Sequence, residues 1–312
     1  MSSKPLIVVV GADGFVGRFL AEALQAKRVV YGPLQNGDVH ISHADDLLRR
    51  ADVVINAAGF RVRPGCAYAD YQRSHQGATA ALVPLIRQGA LLVHISSASV
   101  LGKSKDRSLG SNAAPNPSTF PSPAYATAKL EADEYLKQEA KNRGFRLIFL
   151  RPAVVYSLQG AGMVDTVIKL AKRGIGLRLY PRKARHHFCH TDLLIEVTRR
   201  VIEKPFPQFS TFIVADPYTV TNEELEGMIR GHLQRKPRTM PVPVPLVSGL
   251  LRNSFHSKNP KLDFATWGEI FGVLNLDTAY DPSDTFKVLE IDPSRYSLER
   301  TLKPVIQQAF IQ

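Results

Sequence analysis

Tyr125 and Lys129 stand four residues apart in the run Tyr125-Ala-Thr-Ala-Lys129. On a helix such a pair projects from one face, so a phenol and an ammonium can serve one site. A free tyrosine has a pKa of about 10 and is a poor base near neutrality; an adjacent cation stabilises the phenolate and lowers that value. The pair then suits proton exchange with a substrate hydroxyl or carbonyl. Lys129 is long enough to reach a cofactor ribose as well. A third group belongs with them. The apolar run 91–95 exits through Ser96-Ser97-Ala98-Ser99, which places hydroxyls at the carboxyl edge of a sheet, where ligands bind in open α/β folds. Ser97 is the expected hydroxyl that polarises the substrate oxygen, ahead of its neighbours Ser96 and Ser99.

A second motif supplies a place for a cofactor. The apolar run 6–10 leads into Gly11-Ala-Asp-Gly14-Phe-Val-Gly17, and residues 15–26 carry helical apolar spacing. Glycines at this spacing allow a tight turn, close approach of a pyrophosphate to backbone N–H groups and close strand–helix packing. The phosphate would rest at the positive end of the helix. Gly11, Asp13, Gly14, Phe15, Val16 and Gly17 are the expected contacts. An acid ending the second strand would hold the adenosine ribose hydroxyls and favour NAD. Val29-Val-Tyr-Gly-Pro33 contains none. Arg18 and Arg28 are the contributors available to a 2′-phosphate site, so the reading leans to NADP and leaves NAD open.

The elements that must position these residues follow from apolar periodicity. Strand-like runs at 6–10, 29–31, 53–57, 91–95 and 147–150 alternate with helical segments at 15–26, 44–50, 78–87 and 125–142. Strands apolar on both faces and separated by helices imply a parallel sheet covered on both sides. The predicted fold is α/β: a doubly wound parallel sheet of the Rossmann type, with a smaller C-terminal α+β substrate-binding region. Residues 1–155 form the dinucleotide-binding part, joined by a returning strand near 210–216, and residues 156–312 form most of the substrate-binding region. Helices are expected at 162–172 and 222–232. Residues 102–124 read as a loop too polar to pack, and 236–246 as a proline-rich connection.

These motifs together resemble the extended short-chain dehydrogenase/reductases, the NAD-dependent epimerase/dehydratase type that modifies nucleotide sugars. GxxGxxG, the Ser96–Gly102 strand exit, YxxxK and Arg151-Pro-Ala-Val-Val-Tyr156 occur in that order and spacing, and Arg185-His-His-Phe-Cys-His-Thr-Asp192 is similar to a later family segment. The resemblance implies Ser97, Tyr125 and Lys129 as catalytic residues exchanging a proton while a nicotinamide exchanges a hydride. It implies Asp38 and Val39 against the adenine, Ala57, Ala58 and Gly59 as a cofactor-contacting turn, and Pro152, Ala153 and Val155 at the nicotinamide end. It also implies a homodimer through paired helices. The sequence departs from the family pattern at Ser74, where an asparagine is usual, at Leu101 and at the missing second-strand acid.

Composition narrows the remaining choices. The chain has 312 residues, 44% hydrophobic and 22% charged, with two cysteines, which excludes a disulfide scaffold. Neither cysteine lies in a metal-binding spacing. No apolar run approaches the roughly 20 residues of a membrane span, and the reading is a cytoplasmic protein. The net charge of +12 is spread along the chain without a basic tail or a nucleic-acid motif, so no nucleic-acid partner is expected. One stretch, 172–190, is dense in Arg and Lys and holds no acid. Arg178 and Arg185 there, with Arg63 after the third strand, are expected to meet the diphosphate of a nucleotide sugar, because a guanidinium bonds phosphate oxygens in pairs. The alternatives are a reductase of an apolar alcohol or ketone, such as the steroid and flavonoid relatives, and a dinucleotide-sensing protein without catalysis.

Overall fold

The computed structural model describes residues 4–35, 37–103, 108–158, 168–169, 171–173, 175–232, 238–252, 254, 268–269, 272 and 279–311. A seven-stranded sheet is built from β1 (Ile7–Val10), β2 (Lys27–Val30), β3 (Asp38–His40), β4 (Val53–Asn56), β5 (Leu91–Ile95), β6 (Arg146–Pro152) and β10 (Phe209–Val214). Its order is β10-β6-β5-β4-β1-β2-β3, and every pairing is parallel. Val8 and Val10 pack with Leu48, Leu82, Leu92, Leu136 and Phe149 on one face. Val9 packs with Leu20, Ile55, Val93, Leu150 and Leu193 on the other. Each fully buried valine or leucine contributes on the order of 1.5–3 kcal/mol, which fixes the register: a one-residue slip would exchange the two cores.

Helices cover both faces. Helix α1 (Phe15–Ala23) leaves the glycine turn and α2 (Asp45–Arg50) follows β3. The 21-residue α5 (Pro123–Arg143) starts with proline in its first turn and ends at Gly144 in the left-handed region. The expected helix at 78–87 differs. Helical structure begins ten residues earlier as α3 (Tyr68–Gln72), passes through a π turn at Arg73–Gly77, and continues as α4 (Ala78–Leu82) into a 3-10 turn ending at Leu85. The wider turn accommodates His75, which is buried against the sheet's ligand edge.

Two other segments depart from the sequence reading. The loop after β5 does pack: Leu109 is buried and bridges Tyr280, and Ser122 is buried at the start of α5. The proline-rich stretch contains strand β12 (Arg238–Pro243), parallel to β8 (Ile175–Tyr180), before helix α8 (Val244–Arg252). Proline is compatible with an edge strand, whose outward N–H groups need no partner. The helix expected at 162–172 falls largely outside the described residues.

A smaller three-stranded sheet, ordered β11-β9-β7, joins β7 (Val154–Tyr156), β9 (Arg185–His190) and β11 (Thr219–Thr221). The second half of the chain is not a separate layer. Helix α6 (Thr191–Glu203) and helix α9 (Ser283–Leu289) send Leu193, Val197, Phe286 and Leu289 into the large sheet's core. Helix α7 (Asn222–Gly231) and helix α10 (Leu302–Ile311) close the smaller core around Tyr156 and Phe188.

Candidate active site

The glycine turn sits at the carboxyl ends of β1, β2 and β4. Gly11 N and Ala12 N donate to Val29 O, and Gly14 N donates to Gly11 O at 3.0 Å. Gly11 has φ +80°, and a Cβ there would fall 2.7 Å from Ala58 N. A Cβ on Gly17 would fall 2.1 Å from Gly11 O, so the helix is seated directly on the turn. Gly14 caps α1 without a side chain, and the first turn carries no acid. The first N–H groups of α1 have no acceptor within the helix, as an anion site at its start requires. The donor set fits a pyrophosphate. Asn56 Oδ1 accepts from Ala58 N at 3.2 Å and shapes the turn Ala57-Ala58-Gly59 beside it.

Ser97, Tyr125 and Lys129 come together at the end of β5. The Ser97 hydroxyl accepts from Ser99 N and from Ser99 Oγ at 2.8 Å, which holds it at the strand exit facing the Tyr125 phenol. Lys129 is buried and donates to Ile95 O at 2.9 Å. The charge arrangement differs from the sequence expectation. Burial pushes the Tyr125 phenol up to about 12, with Ser97 opposing and Asp133 adding to the rise. The Lys129 ammonium is bound to the Ile95 carbonyl and feels the charge of Asp133. Burial brings Lys129 itself down to about 8, with Asp133 opposing. The phenol is thus held towards its protonated form, on the same helix face as the Lys129 ammonium.

Beneath these groups lies a polar cluster that motif matching did not include. Asp133, one turn beyond Lys129, is fully buried; its Oδ2 accepts from Ser96 Oγ at 2.8 Å and from Arg151 Nη2 at 3.2 Å. His94 Nε2 lies 3.7 Å from Asp133 Oδ1. His75, on the π turn, meets the Tyr125 ring edge-on at 5.6 Å and stacks on Tyr71 at 6.4 Å. Its ring nitrogens make no hydrogen bond of good geometry. Burial and then the Lys129 charge push His75 down to about 2 and His94 well below its ordinary value, so both are neutral. Gly59 has φ +130°, and a Cβ there would lie 2.2 Å from His75 Nδ1, which ties the turn after β4 to the tyrosine's packing. The spacing 125, 129, 133 was the available signal for Asp133. His75 follows the departure at Ser74, whose Oγ accepts from Phe60 N at 3.3 Å.

Other expected contacts are placed differently. Asp38 begins β3, and its carboxylate is bound by Arg28 Nε and Gln35 N. Its role is to anchor β3 to β2; His40 takes the strand-end position, and Val39 lies within the strand, paired with Val29. The basic stretch meets acids from α7. Arg182 bonds Glu223 and Glu226, and Arg178 Nε lies 3.8 Å from Glu226 Oε1. Arg178, expected at a diphosphate, therefore lies beside a carboxylate supplied from further along the chain. Arg185 is exposed at the start of β9, and the buried His190 caps α6 by accepting from Asp192 N. Arg63 stays near the site. Its guanidinium lies 3.6 Å from the Phe60 ring centroid, and Tyr71 Oη, whose ring packs on Tyr125, bonds its backbone. Pro152 is buried at the end of β6, with Ala153 and Val155 half-buried beyond it.

A doubly wound sheet with a glycine turn on one side of its switch point and a Ser/Tyr/Lys set on the other defines a dinucleotide-dependent enzyme fold. The chain belongs to the NAD dependent epimerase/dehydratase family, whose model matches residues 7–214. No curated protein matches it in sequence. Solved structures do. MoeE5 in complex with UDP-glucose and NAD superposes with a TM-score of 0.74 at 18% identity, covering 97% of this chain and 98% of that one. UDP-glucuronic acid 4-epimerase from Bacillus cereus, in complex with UDP-glucuronic acid and NAD, gives 0.74 at 18% identity over 97% and 98%. RMD from Pseudomonas aeruginosa, complexed with NADPH, gives 0.72 at 15% identity over 99% and 100%. These likenesses carry the fold over nearly the whole chain. No helix among the described residues is long and apolar enough to cross a membrane.

Proposed function

We propose that the protein is an NAD(P)-dependent oxidoreductase or epimerase acting on a hydroxyl or keto group of a nucleotide-linked sugar, with Tyr125 as the acid/base. The observation that carries this reading is the meeting of Ser97, Tyr125 and Lys129 at the end of β5, across the sheet from the glycine turn. Family membership and the nucleotide-sugar complexes among its structural likenesses support the substrate class. The nicotinamide, when bound, supplies the hydride acceptor or donor. Tyr125 gives a proton to the substrate oxygen as a carbonyl is reduced, or takes it as an alcohol is oxidised. Ser97 hydrogen-bonds the same oxygen, and Lys129 supplies a positive charge near the phenol. Arg63 lies on the loop that would contact the sugar. The outer faces of α3, α4 and α5, where Ala69, Gln72, Arg73, Gln76 and Tyr135 line a groove, suit a homodimer contact.

The test is turnover of a panel of UDP-sugars with either dinucleotide, repeated with Tyr125→Phe. The variant should keep dinucleotide binding and lose 10²–10⁴-fold in rate, the usual contribution of a positioned acid/base. Equal activity in Tyr125→Phe would overturn the mechanism. Turnover of apolar ketones without turnover of any nucleotide sugar would overturn the substrate class.

A further inference from the structure

The sequence has no acid at the end of β2, but the structure puts a carboxylate there from another element. Asp13, inside the glycine turn, reaches across the crevice, and its Oδ2 accepts from Gly32 N at 3.0 Å. A Cβ built on Gly32 would lie 3.0 Å from that same oxygen. The carboxylate therefore occupies the space from which a side chain at position 32 would grow. It also faces Tyr31, whose phenol is raised by burial and then by the Asp13 charge. Asp13 is exposed at the mouth of the turn, open to a ligand.

The cations that could have received a 2′-phosphate are engaged elsewhere. Arg28 is ion-paired with Asp38. Arg18 lies over the rings of Phe15 and Phe19, at 5.6 and 4.9 Å from their centroids. Residues 31–37, Tyr-Gly-Pro-Leu-Gln-Asn-Gly, contain no Lys or Arg.

We propose that Asp13 takes the part of the missing strand-end acid: it accepts hydrogen bonds from the adenosine ribose hydroxyls and repels a 2′-phosphate, so that the protein selects NAD over NADP. This rests on the dinucleotide reading above and reverses the lean to NADP drawn from the empty strand end. A carboxylate paired with a ribose diol gains two charge-assisted hydrogen bonds. The same carboxylate against a phosphate dianion meets like charge with no intervening cation.

The experiment is fluorescence titration of the purified protein with NADH and with NADPH, for wild type, Asp13→Asn and Asp13→Ala. Asp13→Asn keeps an oxygen for Gly32 N and so keeps the turn while removing the charge. Wild type should bind NADH at least tenfold more tightly than NADPH, and the preference should narrow at high salt as the repulsion is screened. Asp13→Asn should bind NADH several-fold more weakly and NADPH several-fold more tightly, shifting the ratio at least tenfold; Asp13→Ala should shift it the same way. A wild type preferring NADPH, or a ratio unmoved by Asp13→Asn while binding persists, overturns the proposal and leaves the dinucleotide reading standing. Failure of the folded wild type to bind either nucleotide overturns both.

Discussion

Replacing Lys129 by methionine should stabilise the protein while removing its function. Burial lowers the Lys129 pKa from 10.5 to about 8, and the attraction of Asp133 is already included in that balance. At 1.36 kcal/mol per pH unit, holding the ammonium charged in the folded state costs about 3 kcal/mol. Methionine fills nearly the same length without a charge. It leaves the Ile95 carbonyl without the donor now 2.9 Å away, a loss of about 1 kcal/mol. The net gain at pH 7 is then about 2 kcal/mol. The sign with pH follows from proton counting. Between pH 8 and 10.5 the unfolded chain keeps the lysine proton and the folded chain has lost it, so wild-type stability rises with pH there and the methionine advantage fades. Urea unfolding followed by circular dichroism at pH 7 and pH 9.5 measures both effects. A Lys129→Met protein no more stable than wild type at pH 7, or a stability gap independent of pH, would refute the claim that this ammonium is held against burial.

Acid should destabilise the fold through its neutral histidines. Burial holds His75 at about 2, His187 at about 4 and His94 well below its ordinary value. Below pH 6.5 the unfolded chain binds protons that these residues refuse, so stability falls with pH, each histidine adding up to about 1.4 kcal/mol per pH unit. His75→Leu should flatten the fall between pH 6 and 5 by about 1 kcal/mol per pH unit in urea titrations; identical slopes would exclude His75 as a contributor. The groove lined by Gln72, Gln76 and Tyr135 should be covered in solution. Light scattering should give twice the 34.5 kDa chain mass, and a monomer at micromolar concentration would remove the dimer reading.

The legible parts of this molecule were those written in local pattern. Val8, Val9 and Val10 announce a strand buried on both faces, and the glycine spacing requires the turn that Gly11 and Gly17 make through backbone contacts. Tyr125 and Lys129 share a helix face because helical geometry puts them there. What escaped was set by partners far along the chain. The basic run containing Arg178 and Arg182 looks uncompensated until Glu223 and Glu226 are brought beneath it. The end of β2 holds no acid of its own, and the carboxylate beside it, Asp13, comes from the glycine turn. Asp38, expected against an adenine, is ion-paired with Arg28 across β2 and β3. In each case a charge was assigned from its neighbours in sequence, whereas electrostatics depends on neighbours in space.

The same dependence explains how the site keeps its charges apart. Arg151 and Lys129 are both buried, and two cations in one interior would repel without a carboxylate between them. Asp133 fills that place, bound to Arg151 and Ser96 and one helical turn from Lys129. His75 and His94 border the same space and are kept neutral, first by burial and then by Lys129. Lys129 is thus fixed to the end of β5, and burial pushes the Tyr125 phenol up to about 12. A phenol that keeps its proton suits the donor role proposed for Tyr125 in reduction of a keto group. In the proposed oxidation of an alcohol the same phenol would have to ionise, a change that a neighbouring positive charge favours.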